Sequence, residues 1–275
     1  MKHSFSSDSA SLSFVEVGSG LPVVFLHPTP VDHFYWRSII QQLSGLRAVV
    51  PDLRGHGASE LGSTLAVGAF ARVPDAPVLT MAQMAADTLA LMDHLALPQA
   101  VFVGCSIGGY LMLELWRKAP QRMSALAFIC SKPQPDTAAN HDRRAATIAQ
   151  ARAGGSAQVF DGLAQALIGA SSRSRRPAIV DEMRARMTLT PDALVAVQAG
   201  LAVRPDSVPT VSTIQAPVLA IAGGEDTSIT PVEMEAFRAA PGGCEFHLLA
   251  DAGHFAAYEH PDLIAGLLSP WLRSL

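Results

Sequence analysis

The sequence predicts an α/β protein with a mostly parallel central sheet flanked by helices and a helical cap inserted before the strand that leads to Asp226. Three observations carry that prediction. Short apolar or β-branched runs recur along the 275 residues, helical periodicity fills the gaps between many of them, and the alternation breaks once, for a long helical block.

In chain order, the strand-like runs are "SLSFVEV" from Ser11, "LPVVFLH" from Leu21, "RAVVPD" from Arg47, "AVFVGC" from Ala100, "ALAFIC" from Ala125, "PVLAIAG" from Pro217 and "EFHLLA" from Glu245. Several are continuously apolar, as strands covered on both faces are. Helical spacing shows in "MAQMAADTLALMDHL" from Met81 and in "GYLMLELWRK" from Gly109. From Lys132 to about Thr213 the chain reads as helix only, through "RRAATIAQARAGG", "AIVDEMRARM" and "PDALVAVQAGL". The expected organisation is core over 1–131, cap over 132–213 and core again over 214–275. No internal repeat or low-complexity linker separates them, so cap and core are expected to fold as one unit. The excursion "LGSTLAVGAFARVPDAPVL", from Leu61 to Leu79, reads as a surface loop or a flap near the entrance.

Composition narrows the function classes. With 49% apolar and 16% charged residues the chain can bury a large core, which excludes global disorder. A net charge of −4 gives no electrostatic case for nucleic acid or an anionic membrane, and the basic run "SSRSRRPA" around Arg175 reads as a solvated loop. The start "MKHSFSSDSASLSF" has no apolar h-region, and no stretch approaches the roughly 18 consecutive apolar residues of a membrane span. The expectation is a soluble, cytoplasmic protein acting on a small molecule, with its oligomeric state open. Cys105, Cys130 and Cys244 are odd in number and widely spaced, so reduced thiols are expected, with no metal site and no cofactor.

The chemistry centres on Gly104-Cys105-Ser106-Ile107-Gly108, a G-x-S-x-G match lying between a strand and a helix. A serine on so sharp a turn sits in a strained backbone, and side chains two residues either side would collide at the crossing. The same turn leaves the Ile107 amide at a helix start, free to stabilise an oxyanion. A serine hydroxyl needs a base. His254, in "DAGHFAAYEHPD" after the last strand, is the candidate, and His56, in "PDLRGHGAS", is its rival, although its turn-rich setting suits a histidine that hydrogen-bonds a loop. His27, His33, His94 and His260 carry no comparable signal, and His3, His141 and His247 read as surface or strand positions. The base needs a carboxylate to fix its tautomer. Asp226 in "GEDTSITP" supplies it, with Glu225 as the adjacent alternative.

Together "VVFLHPTP", "VVPDLRGHGAS", "VFVGCSIGG", "PVLAIAGGEDTSITP" and "DAGHFAAYEHPD" resemble the α/β-hydrolase superfamily over nearly the whole chain. Within it, the cap and "RPDSVPTVSTIQAPVL" are similar to a branch of enol-lactonase-like hydrolases, carboxylesterases and cofactor-free haloperoxidase-type perhydrolases. The resemblance implies the triad order Ser106, Asp226, His254, and it places a second oxyanion amide at Thr29. Here the chain departs from the usual His-Gly-x-x, reading His27-Pro28-Thr29-Pro30; prolines lack an N–H, so Thr29 alone of the last three can donate. Its hydroxyl either adds a donor or caps the loop. The resemblance also implies a cis Thr29–Pro30 bond.

The expected activity is hydrolysis of an ester, thioester or lactone through an acyl-enzyme, with perhydrolysis, carbon–carbon hydrolysis or non-catalytic ligand binding on the same fold as alternatives. Met183, Met187, Leu194, Val197 and Leu201 recur at helical spacing in the cap. They point to a small to medium, largely apolar substrate, with short-chain esters cleaved faster than long ones.

Overall fold

In the computed structural model, which describes residues 2–63 and 65–275, the chain begins with an antiparallel pair, β1 (Lys2–Ser7) and β2 (Ala10–Gly18). There follow β3 (Leu21–Leu26), a short helix α1 (Arg37–Ile40), β4 (Leu46–Pro51) and a two-residue ladder of β5 (Ala66–Val67) with β6 (Pro77–Val78). Then α2 (Met81–His94), β7 (Ala100–Cys105), α3 (Ile107–Lys118) and β8 (Met123–Ile129) complete the first part of the core. The next six elements are helices: α4 (Ala138–Arg152), α5 (Ser156–Leu167), α6 (Ala170–Arg175), α7 (Ile179–Arg184), α8 (Pro191–Ala202) and α9 (Val208–Val211). The chain returns to the sheet with β9 (Val218–Gly223), α10 (Pro231–Met234), β10 (Cys244–Leu249), α11 (Ala256–Glu259) and α12 (Pro261–Arg273).

One eight-stranded sheet runs in the order β1-β2-β4-β3-β7-β8-β9-β10. β1 and β2 join antiparallel; every pairing from β4 to β10 is parallel. The central strands β7 (AVFVGC) and β9 (VLAIAG) are buried at every position, the physical counterpart of their unbroken apolar sequence. β10 is half-exposed and carries Glu245 and His247, polar side chains that discourage pairing at an open edge. From β3 the chain proceeds outward to β4 on one side, and β7 fills the other side. This reversal of strand order opens a crevice at the carboxyl ends of β3 and β7, where α/β sheets bind ligands. The loop holding Thr29 and the turn holding Ser106 follow those two strand ends.

The helical stretch between β8 and β9 forms the cap predicted from the sequence, around α5–α7. Its apolar residues join the core without a break: Leu194, Val197 and Ile179 belong to the same buried cluster as Phe102 and Leu219. The 61–79 excursion is tied to this region. Phe70, Ala76, Val78 and Leu79 are buried, Leu79 N–H donates to the Ala196 carbonyl of α8 at 3.0 Å, and Arg72 and Arg152 bridge to Asp142 and Asp75. Gly200 permits the approach, because a Cβ there would overlap the Leu79 carbonyl. The N-terminal strand β1 carries no legible strand pattern, because of its six residues only Phe5 and Ser7 are buried and the rest are exposed. No described helix is long and apolar enough to cross a membrane.

Candidate active site

Ser106 sits between β7 and α3 with φ 52 and ψ −115. A non-glycine residue pays on the order of 1–3 kcal/mol there and stays only where its surroundings hold it. They do so here: the Ser106 amide donates to Ile129 O at 3.2 Å, and its carbonyl accepts from Gly109 N, Tyr110 N and the Ser131 hydroxyl. The glycine argument holds at both flanks. A Cβ on Gly104 would lie 2.5 Å from Met112 Sδ, and one on Gly108 would overlap the Leu26 carbonyl.

Asp226 follows β9 in a tight turn, its Oδ1 accepting from Ser228 N at 2.8 Å and Ile229 N at 3.0 Å. Its other oxygen, Oδ2, accepts from His254 Nδ1 at 2.7 Å, both side chains being almost fully buried. The pairing directs His254 Nε2 away from the carboxylate, and no described residue bonds it. Ser106 and His254 line one cavity of about 370 Å³ together with Thr29 and Pro30. Ser106 Oγ itself makes no hydrogen bond to a described residue; nucleophile and base often close to bonding distance only with substrate present. The His254 loop is held from three sides: Gly253 N donates to Glu259 at 3.0 Å, the Cys105 thiol to His254 O at 3.7 Å, and the Cys130 thiol to Gly253 O at 3.5 Å. Burial pushes both thiols up in pKa, which keeps them protonated donors.

The rival residues are placed elsewhere. Glu225 turns outward and binds the amide and hydroxyl of Ser171, leaving His254 to its neighbour. His56 is fully buried; its Nδ1 meets the Arg54 carbonyl at 2.9 Å and its Nε2 meets Thr29 Oγ1 at 2.9 Å. A carbonyl only accepts, so Nδ1 carries the proton. Burial lowers the His56 pKa to about 3, so the ring is neutral and Nε2 must accept from the Thr29 hydroxyl. That hydroxyl therefore secures the loop. His27 does the same nearby: Nδ1 donates to Pro28 O and Nε2 accepts from Leu53 N, with burial lowering its pKa to about 4. The Thr29–Pro30 peptide is cis. The backbone amides of Thr29 and Ile107 have no acceptor among the described residues, as donors reserved for a ligand would not.

The apolar wall expected from the cap is present but is built by other residues, with Leu163, Ala166 and Leu167 of α5 lining the cavity. Met183, Met187, Leu194 and Val197 are at most 2% exposed and pack into the core; of that stripe only Leu201 reaches the cavity. Helix α8 is buried over nearly its whole length, so its apolar positions are spent on packing. A polar part of the lining comes from α4, through Asn140, Arg143, Arg144 and Thr147, joined by Gln198, Tyr110 and Lys132. Those four α4 residues recur at i, i+3, i+4 and i+7, a polar helical stripe that was present in the sequence to be read. Among the described residues, no group of three or more His, Cys, Asp or Glu is placed to hold a metal ion.

Comparison with known proteins agrees with the fold. The family model described as "alpha/beta hydrolase fold" matches residues 22–261. A thermophilic esterase from Thermogutta terrifontis, solved with malate bound, superposes with a TM-score of 0.89 at 28% identity, covering 100% of this chain and 98% of that one. The enol-lactonase from Burkholderia xenovorans LB400 superposes with a TM-score of 0.86 at 22% identity over 98% and 100% of the two chains, a likeness of fold alone. The Mycobacterium tuberculosis protein BpoC, named as a non-heme bromoperoxidase, is 26% identical over 92% of this chain and 94% of its own length.

Proposed function

The chain belongs to the α/β-hydrolase fold family, and on that premise we propose that it is a serine hydrolase cleaving a small to medium ester, thioester or lactone through an acyl-enzyme. The observation that supports this most is the strained Ser106 turn opening on the same cavity as a His254 ring whose Nδ1 is tied to Asp226 at 2.7 Å. In this reading His254 Nε2 takes the Ser106 proton as Oγ attacks the carbonyl carbon, and Asp226 stabilises the imidazolium that results. The Thr29 and Ile107 amides receive the oxyanion. His254 then returns the proton to the departing alcohol, thiol or lactone oxygen, and finally activates the water that frees Ser106 and the acid. The division into a core of 1–131 and 214–275 with a cap of 132–213 belongs to the same proposal, since the cap residues close the cavity over Ser106.

Hydrolysis of p-nitrophenyl butyrate, together with labelling by a fluorophosphonate, tests the assignment. Ser106→Ala is expected to abolish labelling and to cut turnover by several orders of magnitude while the fold persists. Near-normal turnover in that variant would refute it. Similarity to BpoC supports a second reading in which hydrogen peroxide replaces water at the acyl-enzyme, giving a peracid and free Ser106. Peroxide-dependent halogenation that requires a carboxylic acid and Ser106 would establish that reading.

A further inference from the structure

Beside its apolar residues, the cavity that Ser106 lines has a polar stretch in which each side-chain carboxylate or amide oxygen already holds a donor. Asp136, whose side chain is 1% exposed, accepts from Arg144 Nε at Oδ2 and from Arg204 Nη1 at Oδ1, with Asn140 Nδ2 also donating to Oδ1 at 3.4 Å. Burial works against its ionisation, but the two guanidinium groups outweigh that and hold the carboxyl below the usual range. Gln198 Oε1 accepts from Arg144 Nη1 at 2.8 Å, and Asn140 Oδ1 accepts from Arg143 Nη2. Thr147 spends its hydroxyl proton on the Arg143 carbonyl at 3.0 Å. Each side-chain carbonyl or carboxylate of these wall residues thus already has an arginine on it.

The donors are in surplus. Arg144 Nη2, Gln198 Nε2, the Arg143 Nε and Nη1 groups and the Tyr110 hydroxyl have no hydrogen-bond partner among the described residues. Because Arg144 holds the Gln198 oxygen, the amide cannot flip to offer an acceptor, and its NH2 is committed as a donor. Charge is unbalanced in the same sense. Arg143, Arg144, Arg204 and Lys132 stand with Asp136 and Glu233, and among the described residues Arg143 alone of the four has no carboxylate partner. Arg204 lies behind the ring of Tyr110, 4.3 Å from its centroid, and adds its charge from the rear. A neutral alkyl chain placed here would strip water from these donors and return nothing.

Resting on the serine-hydrolase reading, we propose that the wall formed by Arg143, Arg144, Gln198 and Tyr110 is an anion subsite, and that the substrate is an ester or lactone carrying a carboxylate away from its scissile carbonyl. A carboxylate has about four lone-pair sites for two or three of these donors, and Arg144, locked in plane by Asp136 and Gln198, presents its remaining N–H in a fixed direction. These are specificity residues; the bond-breaking steps stay with Ser106 and His254.

The test compares two esters of equal acyl length, p-nitrophenyl hydrogen glutarate and p-nitrophenyl valerate, which differ by a terminal carboxylate in place of a methyl. The ratio of their kcat/KM values is expected to favour the anion by about tenfold or more, to shrink with added salt, and to drop by about tenfold in Arg143→Gln, an exposed position whose replacement leaves the core alone. Glutarate should inhibit valerate-ester hydrolysis competitively, and glutaramide should not. A ratio near one, unmoved by Arg143→Gln, overturns the subsite while leaving the hydrolase reading in place. Should neither ester turn over, calorimetry with glutarate decides the subsite directly: saturable binding weakened in Arg143→Gln supports it, and no binding overturns it. Fluorophosphonate labelling of Ser106 judges the hydrolase reading separately.

Discussion

Asp226→Asn is the perturbation for which the structure specifies most. Asp226 Oδ1 accepts two backbone amides, from Ser228 and Ile229, at 2.8 and 3.0 Å. An asparagine side chain must keep its carbonyl oxygen there, because turning it would set an NH2 against two N–H groups. The new NH2 then occupies the Oδ2 position, 2.7 Å from His254 Nδ1. Facing a donor, Nδ1 becomes the acceptor and the ring proton moves to Nε2, where it blocks removal of the Ser106 proton. The imidazolium also loses its counter-charge. A wrong tautomer of this kind costs on the order of 10⁴ in kcat, or about 5 kcal/mol of transition-state stabilisation. Burial and packing change little, since the two residues are nearly isosteric. The assay is kcat for p-nitrophenyl butyrate above the Ser106→Ala background, paired with nitrogen NMR of the His254 ring. A loss of less than about tenfold, or a ring still protonated at Nδ1, would refute the reasoning.

Three further outcomes are expected. Ser106→Gly should abolish turnover yet raise stability by about 1 kcal/mol in urea unfolding, because relief of a φ of 52 exceeds the added unfolded-state entropy of glycine; a drop in stability would argue against strain at the turn. Gly200→Ala should destabilise by about 1–3 kcal/mol, since its Cβ would enter the Leu79 carbonyl; an unchanged urea midpoint would show that α8 and the 61–79 segment can separate. Burial holds His27 near a pKa of about 4 and His56 near about 3, against about 6.5 when unfolded. The unfolded chain therefore binds more protons between those values, and stability should fall as pH drops from about 6.5 toward 4, together by on the order of 5 kcal/mol. Asp52, at about 2, contributes only below about pH 4, so a stability curve flat from pH 7 to 4 would contradict the neutral buried imidazoles.

What could be read from the sequence was what local backbone physics enforces. The Ser106 turn needs small residues at 104 and 108 because two chain segments cross there, and that requirement leaves a pattern of adjacent letters. The buried strands are legible for the same reason: β7 and β9 have no solvent face, so nothing polar interrupts them. The cavity wall obeys no such local rule. Met183, Met187, Leu194 and Val197 are all buried but are split between α7, the segment after it and α8, and apolar spacing tells that residues are buried and not against what. The spacing of Asn140, Arg143, Arg144 and Thr147 marks one polar face of α4, which as sequence is the same whether it meets solvent or a cavity; only packing places it in the cavity that Ser106 lines. The choice of Asp226 over Glu225 is likewise tertiary. The two share a turn, and the Ser171 contact that draws Glu225 away comes from a helix 54 residues distant in sequence.

That last contact has a consequence for how cap and chemistry are joined. Adjacent acids on one turn face opposite ways, Asp226 to His254 and Glu225 to the cap at Ser171. On the other side of the site Glu259 accepts from Gly253 N, next to His254, and from Gly169 N of the cap, each at 3.0 Å. There is no room for play at this junction, because a Cβ on Gly169 would sit 2.8 Å from the Gly253 nitrogen. The start of α6 is thus bonded both to the acid turn and to the histidine loop. A cap that pivoted about this point would drag Asp226 or His254 with it, so the placement of α6 and the Asp226–His254 bond are coupled.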